Sequence, residues 1–249
     1  MIKNMDVLNV TISQLIQENF GYAAALDYYG INFQENEKQT LNMICTARGI
    51  SPELIIERAQ NQRIKHPDLR HWSIESIIKY LKVNHSFFTR FKLPYISKLI
   101  SETESEKFSN PQVGEDLKLI FPVFAEDFIK HIHEEEDTLF SYIYTLLEAT
   151  RHIHNVAGLL KTINHNSIQK LNLAHESHDD EMEGIRKLTN NFDADPVSDL
   201  YEFVIYQELK SFEQDLQLHA HIENHILFPK ALKLENEVRW RIEQKIKLN

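Results

Sequence analysis

The sequence predicts an all-α protein, a four-helix bundle preceded by a small helical domain. Three observations carry this. Only 6 Gly and 7 Pro occur in 249 residues. Leu, Ile, Glu, Lys and Gln fill long stretches, and apolar residues recur every three or four positions with no convincing pair of strands. With 42% hydrophobic and 26% charged residues, the composition is that of a globular chain long enough for one large domain or two small ones.

Taken in order, the first segments are short. Asp6 to Leu26 reads as helix, closed by the turn Asp27-Tyr28-Tyr29-Gly30, and Gln39 to Arg48 as a second helix stopped by Gly49. Ser51-Pro52 is an N-cap followed by an N1 proline and opens a third. The polar stretch Gln60 to Ser73, with His66-Pro67-Asp68, reads as a linker, so residues 1–65 form a small helical N-terminal domain. Residues 70–235 form the bundle, and 236–249 a helical tail in which Val238 to Lys247 add a short helix.

The bundle's first helix follows Ser73 and aligns Ile74, Ile78, Leu81, His85, Phe88, Tyr95 and Leu99, with Pro94 as a kink. Ser101 to Asp116 reads as a polar loop. A second helix takes over around Pro122 and aligns Phe124, Phe128, His131, Glu135, Leu139, Tyr142 and Leu146. The third carries Leu171, Ala174, His178, Met182, Ile185 and Leu188. After Asp195-Pro196 the fourth carries Ile205, Leu209, Phe212, Leu216, His219, Glu223 and Leu227, ending before Pro229. Four apolar stripes on four helices make the bundle.

Composition excludes several function classes. No apolar run approaches the ~20 residues of a membrane span, and Asp6, Gln14, Gln17 and Glu18 interrupt any leader-like core, so a cytoplasmic location is expected. A net charge of −10 argues against nucleic acid or an anionic membrane as partner. A single cysteine, Cys45, rules out an internal disulfide framework and a zinc ribbon. Against this background the 13 histidines stand out, because imidazole is the commonest metal ligand.

Two segments repeat one pattern. His131-Ile132-His133-Glu134-Glu135 runs on to Leu139-Phe140, and His219-Ala220-His221-Ile222-Glu223 to Leu227-Phe228, both reading H-x-H-x-E-x-x-x-L-F. Residues four apart share a helix face, so His131 projects with Glu135 and His219 with Glu223. At exposed positions this spacing is an ordinary ion-pairing face, but here Phe and Leu turn it inward. A buried carboxylate without a partner is very costly, and metal ions supply the compensation.

In an up-down bundle, the second and fourth helices run parallel on opposite corners, so the repeat implies a pseudo-twofold site. The first and third helices each add one stripe histidine, His85 and His178, with His175 a rival on the third. A lone core histidine is ordinarily a packing residue; the doubled motif changes that reading for both. Four imidazoles and two carboxylates suit two metals with open positions. Such donors fit iron, and also zinc or manganese. His133 and His221 lie about 200° around the helix from Glu135's and Glu223's faces at ~100° per residue, which places them in solvent, and Glu134 and Glu136 read as surface charges.

These residues resemble the repair-of-iron-centres family, bacterial di-iron proteins in which a hemerythrin-like bundle follows a small N-terminal domain. The resemblance spans nearly the whole chain. It rests on Asn84-His85 leading to Leu93-Pro94, on His131 to Phe140, on Glu176-Ser177-His178-Asp179-Asp180, on Arg186 to Phe192, and most specifically on HAHIENHILFP from His219 to Pro229. It implies two non-haem iron ions, with an oxo or hydroxo bridge, ligated by His85, His131, Glu135, His178, His219 and Glu223. Ser86 stands where many relatives have a second histidine. Asp27-Tyr28-Tyr29-Gly30 stands where the family typically has Asp-x-Cys-Cys-Gly, so both cysteines are tyrosines here and chemistry depending on a thiol pair is not expected.

The resemblance further implies a stress protein that binds NO or O2 species and protects or repairs damaged iron–sulfur proteins. NO reduction is open to such a centre in principle, but the sequence holds no electron-entry partner, so binding, iron delivery and turnover stand side by side. An O2-binding or sensing module with a degenerate N-terminal interaction domain is the alternative, and a purely structural metal site a third.

Overall fold

The computed structural model describes residues 6–60, 67–153, 155–176, 182–194 and 199–247. Among them the chain is an all-α helical bundle, with one isolated antiparallel bridge between Thr11 and Thr40. It divides into two compact units that interleave along the sequence. The first comprises Met1–His66, Pro94–Phe121 and Ile185–Phe212, and the second Pro67–Leu93, Pro122–Gly184 and Glu213–Asn249.

In the first unit, α1 (Ile12–Glu18), α2 (Gly21–Tyr28), α3 (Leu41–Arg48) and α4 (Pro52–Gln60) are short. Thr11 and Gln14 form a capping box at the start of α1. Thr40 caps α3, and Gly49 ends it at φ +65. The single helix expected from Asp6 to Leu26 is two helices. Asn19 is extended and its Oδ1 accepts the Gly21 N–H at 3.1 Å, which breaks the ladder. Gly21 is required at the break because a Cβ there would lie 2.7 Å from the Ala59 carbonyl oxygen of α4. Ile12, Leu15, Leu26, Leu41, Cys45 and Ile55 are buried here, and burial pushes the Cys45 thiol up. Tyr28 is exposed, with the Arg58 guanidinium over its ring and Tyr29 edge-on to it.

The longer helices run through proline where the sequence predicts breaks. The ranges are α5 (Ile74–Phe87), α6 (Leu93–Glu102), α7 (Pro111–Glu135), α8 (Ser141–Arg151), α12 (Leu200–Ile222) and α13 (Phe228–Lys247). Between α8 and α12 lie α9 (Val156–His165), α10 (Ile168–Glu176) and α11 (Glu183–Leu188). The polar loop expected to reach Asp116 ends earlier, since α7 starts at Pro111, where a missing N–H costs no helical bond, and continues through Pro122. Likewise the helix expected to stop before Pro229 continues to Lys247.

Wide π turns explain part of this continuity. They occupy Phe88–Lys92, Glu136–Phe140 and Glu223–Leu227, and the first and third lie just before Leu93-Pro94 and Phe228-Pro229. A proline ring clashes with the carbonyl four residues back, and widening the preceding turn moves that carbonyl away. His178 of the third helix lies outside the described residues, as do His66, His154 and Asp195-Pro196. After α11 the run Asn190-Asn191-Phe192 has positive φ of 48, 62 and 59°, a left-handed turn that asparagine tolerates best.

The second unit has its own core. Ile77, Ile78 and Leu81 of α5 join Ile143 and Leu146 of α8, and Leu139, Phe140 and Leu227 of the π turns. Ile222 of α12 and Phe228, Ala231, Val238 and Ile242 of α13 complete it. Ser73 caps α5 by accepting the Ser76 N–H, which fixes where that helix begins and so where His85 falls, three turns later.

Candidate metal centre

The second unit gathers four polar side chains within apolar surroundings. His85, Glu135, His219 and Glu223 are 2, 6, 8 and 1% exposed. One donor atom from each lies within 4.8 Å of all the others. The Nε2 atoms of His85 and His219 are 3.0 Å apart. Glu223 Oε1 is 2.9 Å from His219 Nε2, and Glu135 Oε2 is 3.5 Å from His85 Nε2. Phe140 stacks flat on His85 with ring centroids 5.7 Å apart, and Phe88 meets His219 edge-on at 5.8 Å.

The electrostatics of this group are those of a cation site. Burial pushes the Glu135 carboxyl well above the usual carboxylate range, and the Glu223 carboxylate pushes it further. Burial, then the His219 imidazole, lowers His85 to about 4, so its ring is neutral near neutral pH and keeps a lone pair for a metal. Among the described residues, Glu135 Oε1 and His219 Nδ1 are buried without a hydrogen-bond partner. Two imidazoles and two carboxylates, with no lysine or arginine among the four, match the nitrogen and oxygen donors of a divalent transition metal. The residues present therefore fit the iron that the sequence resemblance implies.

The sequence-derived set is distributed unevenly. His85, Glu135, His219 and Glu223 come together. His131, one turn before Glu135, is half-buried beside the Phe128 ring and is not among the four converging donors. His178 is outside the described residues, and nothing is described of the His175 side chain. His133, His221 and Glu134 are exposed, as their angular positions predict.

Glu136 is a correction. Its side chain is only 26% exposed and is not a free surface charge. It accepts the Nδ1 proton of His85 at 2.9 Å and pairs with Lys82 Nζ at 2.9 Å. One residue beyond Glu135, it is turned by ~100° toward α5, where Lys82 and His85 sit one turn apart. The signal for it was there: a carboxylate directly after a candidate ligand, beside a helix that offers both a cation and an imidazole.

No family model matches the chain. It is similar to the iron-sulfur cluster repair protein YtfE of Dickeya chrysanthemi, 21% identical over 210 residues, covering 83% of this chain and 89% of that protein. The same-named proteins of Cronobacter sakazakii and Escherichia coli are 23% identical over 207 residues, covering 82% of this chain and 87 and 88% of theirs. At 21 to 23% identity the likeness is to proteins of iron–sulfur cluster repair, the direction in which the sequence resemblance also points. The aligned length takes in most of both chains, so the likeness extends well beyond the histidine-bearing segments. Among the described residues no helix is long and apolar enough to cross a membrane.

Proposed function

We propose that this chain is a non-haem di-iron protein of nitrosative and oxidative stress, binding NO or O2 species and protecting or repairing damaged iron–sulfur proteins in the cytoplasm. The observation that carries the reading is the convergence of His85, Glu135, His219 and Glu223 in a buried pocket. The relatives, named as iron-sulfur cluster repair proteins, supply the physiological direction. His131 and His178 complete a six-residue ligand set for two irons.

Two ferrous ions would supply electrons and open positions for a small diatomic ligand. The chain's own residues set the surroundings. Glu135 and Glu223 offset part of the cationic charge and leave the centre net positive, which favours ligands that gain negative charge. Phe140 packs on His85, Phe88 on His219, and Phe128 on Phe88 and His131, an apolar surround that limits water. Tyr28-Tyr29 stand where the cysteine pair is expected, which argues against dithiol chemistry in the N-terminal helices and favours a second reading, an O2-binding or sensing module.

Anaerobic metal analysis with optical titration by NO and by O2 separates the two. Tight NO binding with rapid oxidation in air is the expected result. A stable, reversible O2 adduct favours the second reading, and zinc alone in protein produced with iron available contradicts both.

A further inference from the structure

The two halves of the centre repeat in their ligands but not in the residues behind them. After Glu135 stands Glu136, and at the matching place after Glu223 stands Asn224. Glu136 is hydrogen-bonded to His85 Nδ1 and held on its other side by Lys82. Asn224 carries no charge, and among the described residues its buried Oδ1 has no hydrogen-bond partner.

We propose that Glu136 is a positioning residue that orients His85 and makes the two metals of the centre unequal. This rests on the di-iron reading above. By accepting the Nδ1 proton, Glu136 fixes the tautomer that leaves the Nε2 lone pair free, and Nε2 is the atom that faces His219 and Glu135. A carboxylate behind an imidazole also makes it a stronger donor. Flat packing against Phe140 holds the ring plane, so what Glu136 has left to fix is the choice between the two ring orientations related by a half-turn about Cβ–Cγ. Lys82 pins the far oxygen of the carboxylate, which keeps Glu136 on its helix flank and tempers its charge. The counterpart half has an amide at this place. The metal bound through His85 is therefore the more electron-rich and the more tightly held.

The test uses the full chain, anaerobic titration with ferrous iron, and Mössbauer spectra of the loaded protein. Wild type takes up two irons with two distinct quadrupole doublets. Glu136→Ala weakens one iron by about 10- to 100-fold, the range for loss of a carboxylate behind a metal-bound histidine, and leaves the other unchanged. Glu136→Gln keeps an acceptor without the charge, restores most of the affinity, and brings the two doublets closer together. The apo variants keep wild-type helix content by circular dichroism. Wild-type affinity and unchanged doublets in both variants overturn the proposal, as does equal weakening of both irons. Failure of the wild-type chain to hold iron instead overturns the di-iron reading itself.

Discussion

Two buried carboxylate sites in the same unit make opposite arrangements. Glu235 on α13 is fully furnished: its Oε2 accepts the Tyr142 hydroxyl at 2.9 Å and the Ile168 N–H at 2.8 Å, and its Oε1 accepts the Arg239 Nε at 3.0 Å. Burial and the Glu235 carboxylate together push the Tyr142 phenol up, so its proton stays in place as a donor. Glu135 and Glu223 instead face each other across two imidazoles with no guanidinium or ammonium among the four converging groups. One site offsets the cost of burial from within the fold and ties three helices together. The other leaves that cost open to a cation from outside, and this separates a structural buried charge from a binding one.

The largest expected effect sharpens that contrast. Glu135→Ala or Glu223→Ala removes most of the bound iron, whereas His133→Ala and His221→Ala, whose side chains point to solvent, keep it. Elemental analysis of desalted protein checks this, and equal loss in all four variants contradicts the assignment of faces. Removing the metal itself comes next. A site filled at a thousandfold excess over Kd stabilises by roughly 4 kcal/mol, so chelation lowers the thermal midpoint visibly while the leucine, isoleucine and phenylalanine core keeps the helices. Calorimetry and circular dichroism at one pH read both quantities; an unchanged midpoint after confirmed iron loss is the contrary result.

Glu235→Ala destabilises by about 2 kcal/mol, because three donors lose one acceptor together, yet leaves iron content intact. Urea unfolding with metal analysis on the same samples tests it, and loss of iron would join two sites that the comparison holds apart. The smallest effect is in the apo protein. Glu135→Gln removes a carboxyl whose ionisation burial and Glu223 oppose in the fold, and raises apo stability at neutral pH by roughly 1 kcal/mol, where the same exchange at Glu235 lowers it.

The contrast also marks what the sequence could say. The 3.6-residue period reads out which side chains share a face, so His85, Glu135, His219 and Glu223 were legible, as were the Gly49 stop and the α4 start at Pro52. Proline was misread at Pro122 and Pro229, because its local preference for breaking a helix is overridden inside long packed helices. Neither a fixed period nor residue preferences marks a turn widened by one residue, so the three π turns were hidden. Glu136 was missed for a different reason. Its own helix gives it a flank position, and only α5, 51 residues away in sequence at His85, turns that flank into a partner.

The most direct measurement is the iron content of the anaerobically loaded chain beside that of Glu135→Ala and Glu223→Ala, with folding verified by circular dichroism. Two irons per chain in the wild type, falling to a small residue in both folded variants, is the predicted result. A wild-type chain that retains no iron, or variants that retain as much as it does, would contradict the assignment of this buried histidine and glutamate cluster as a metal centre.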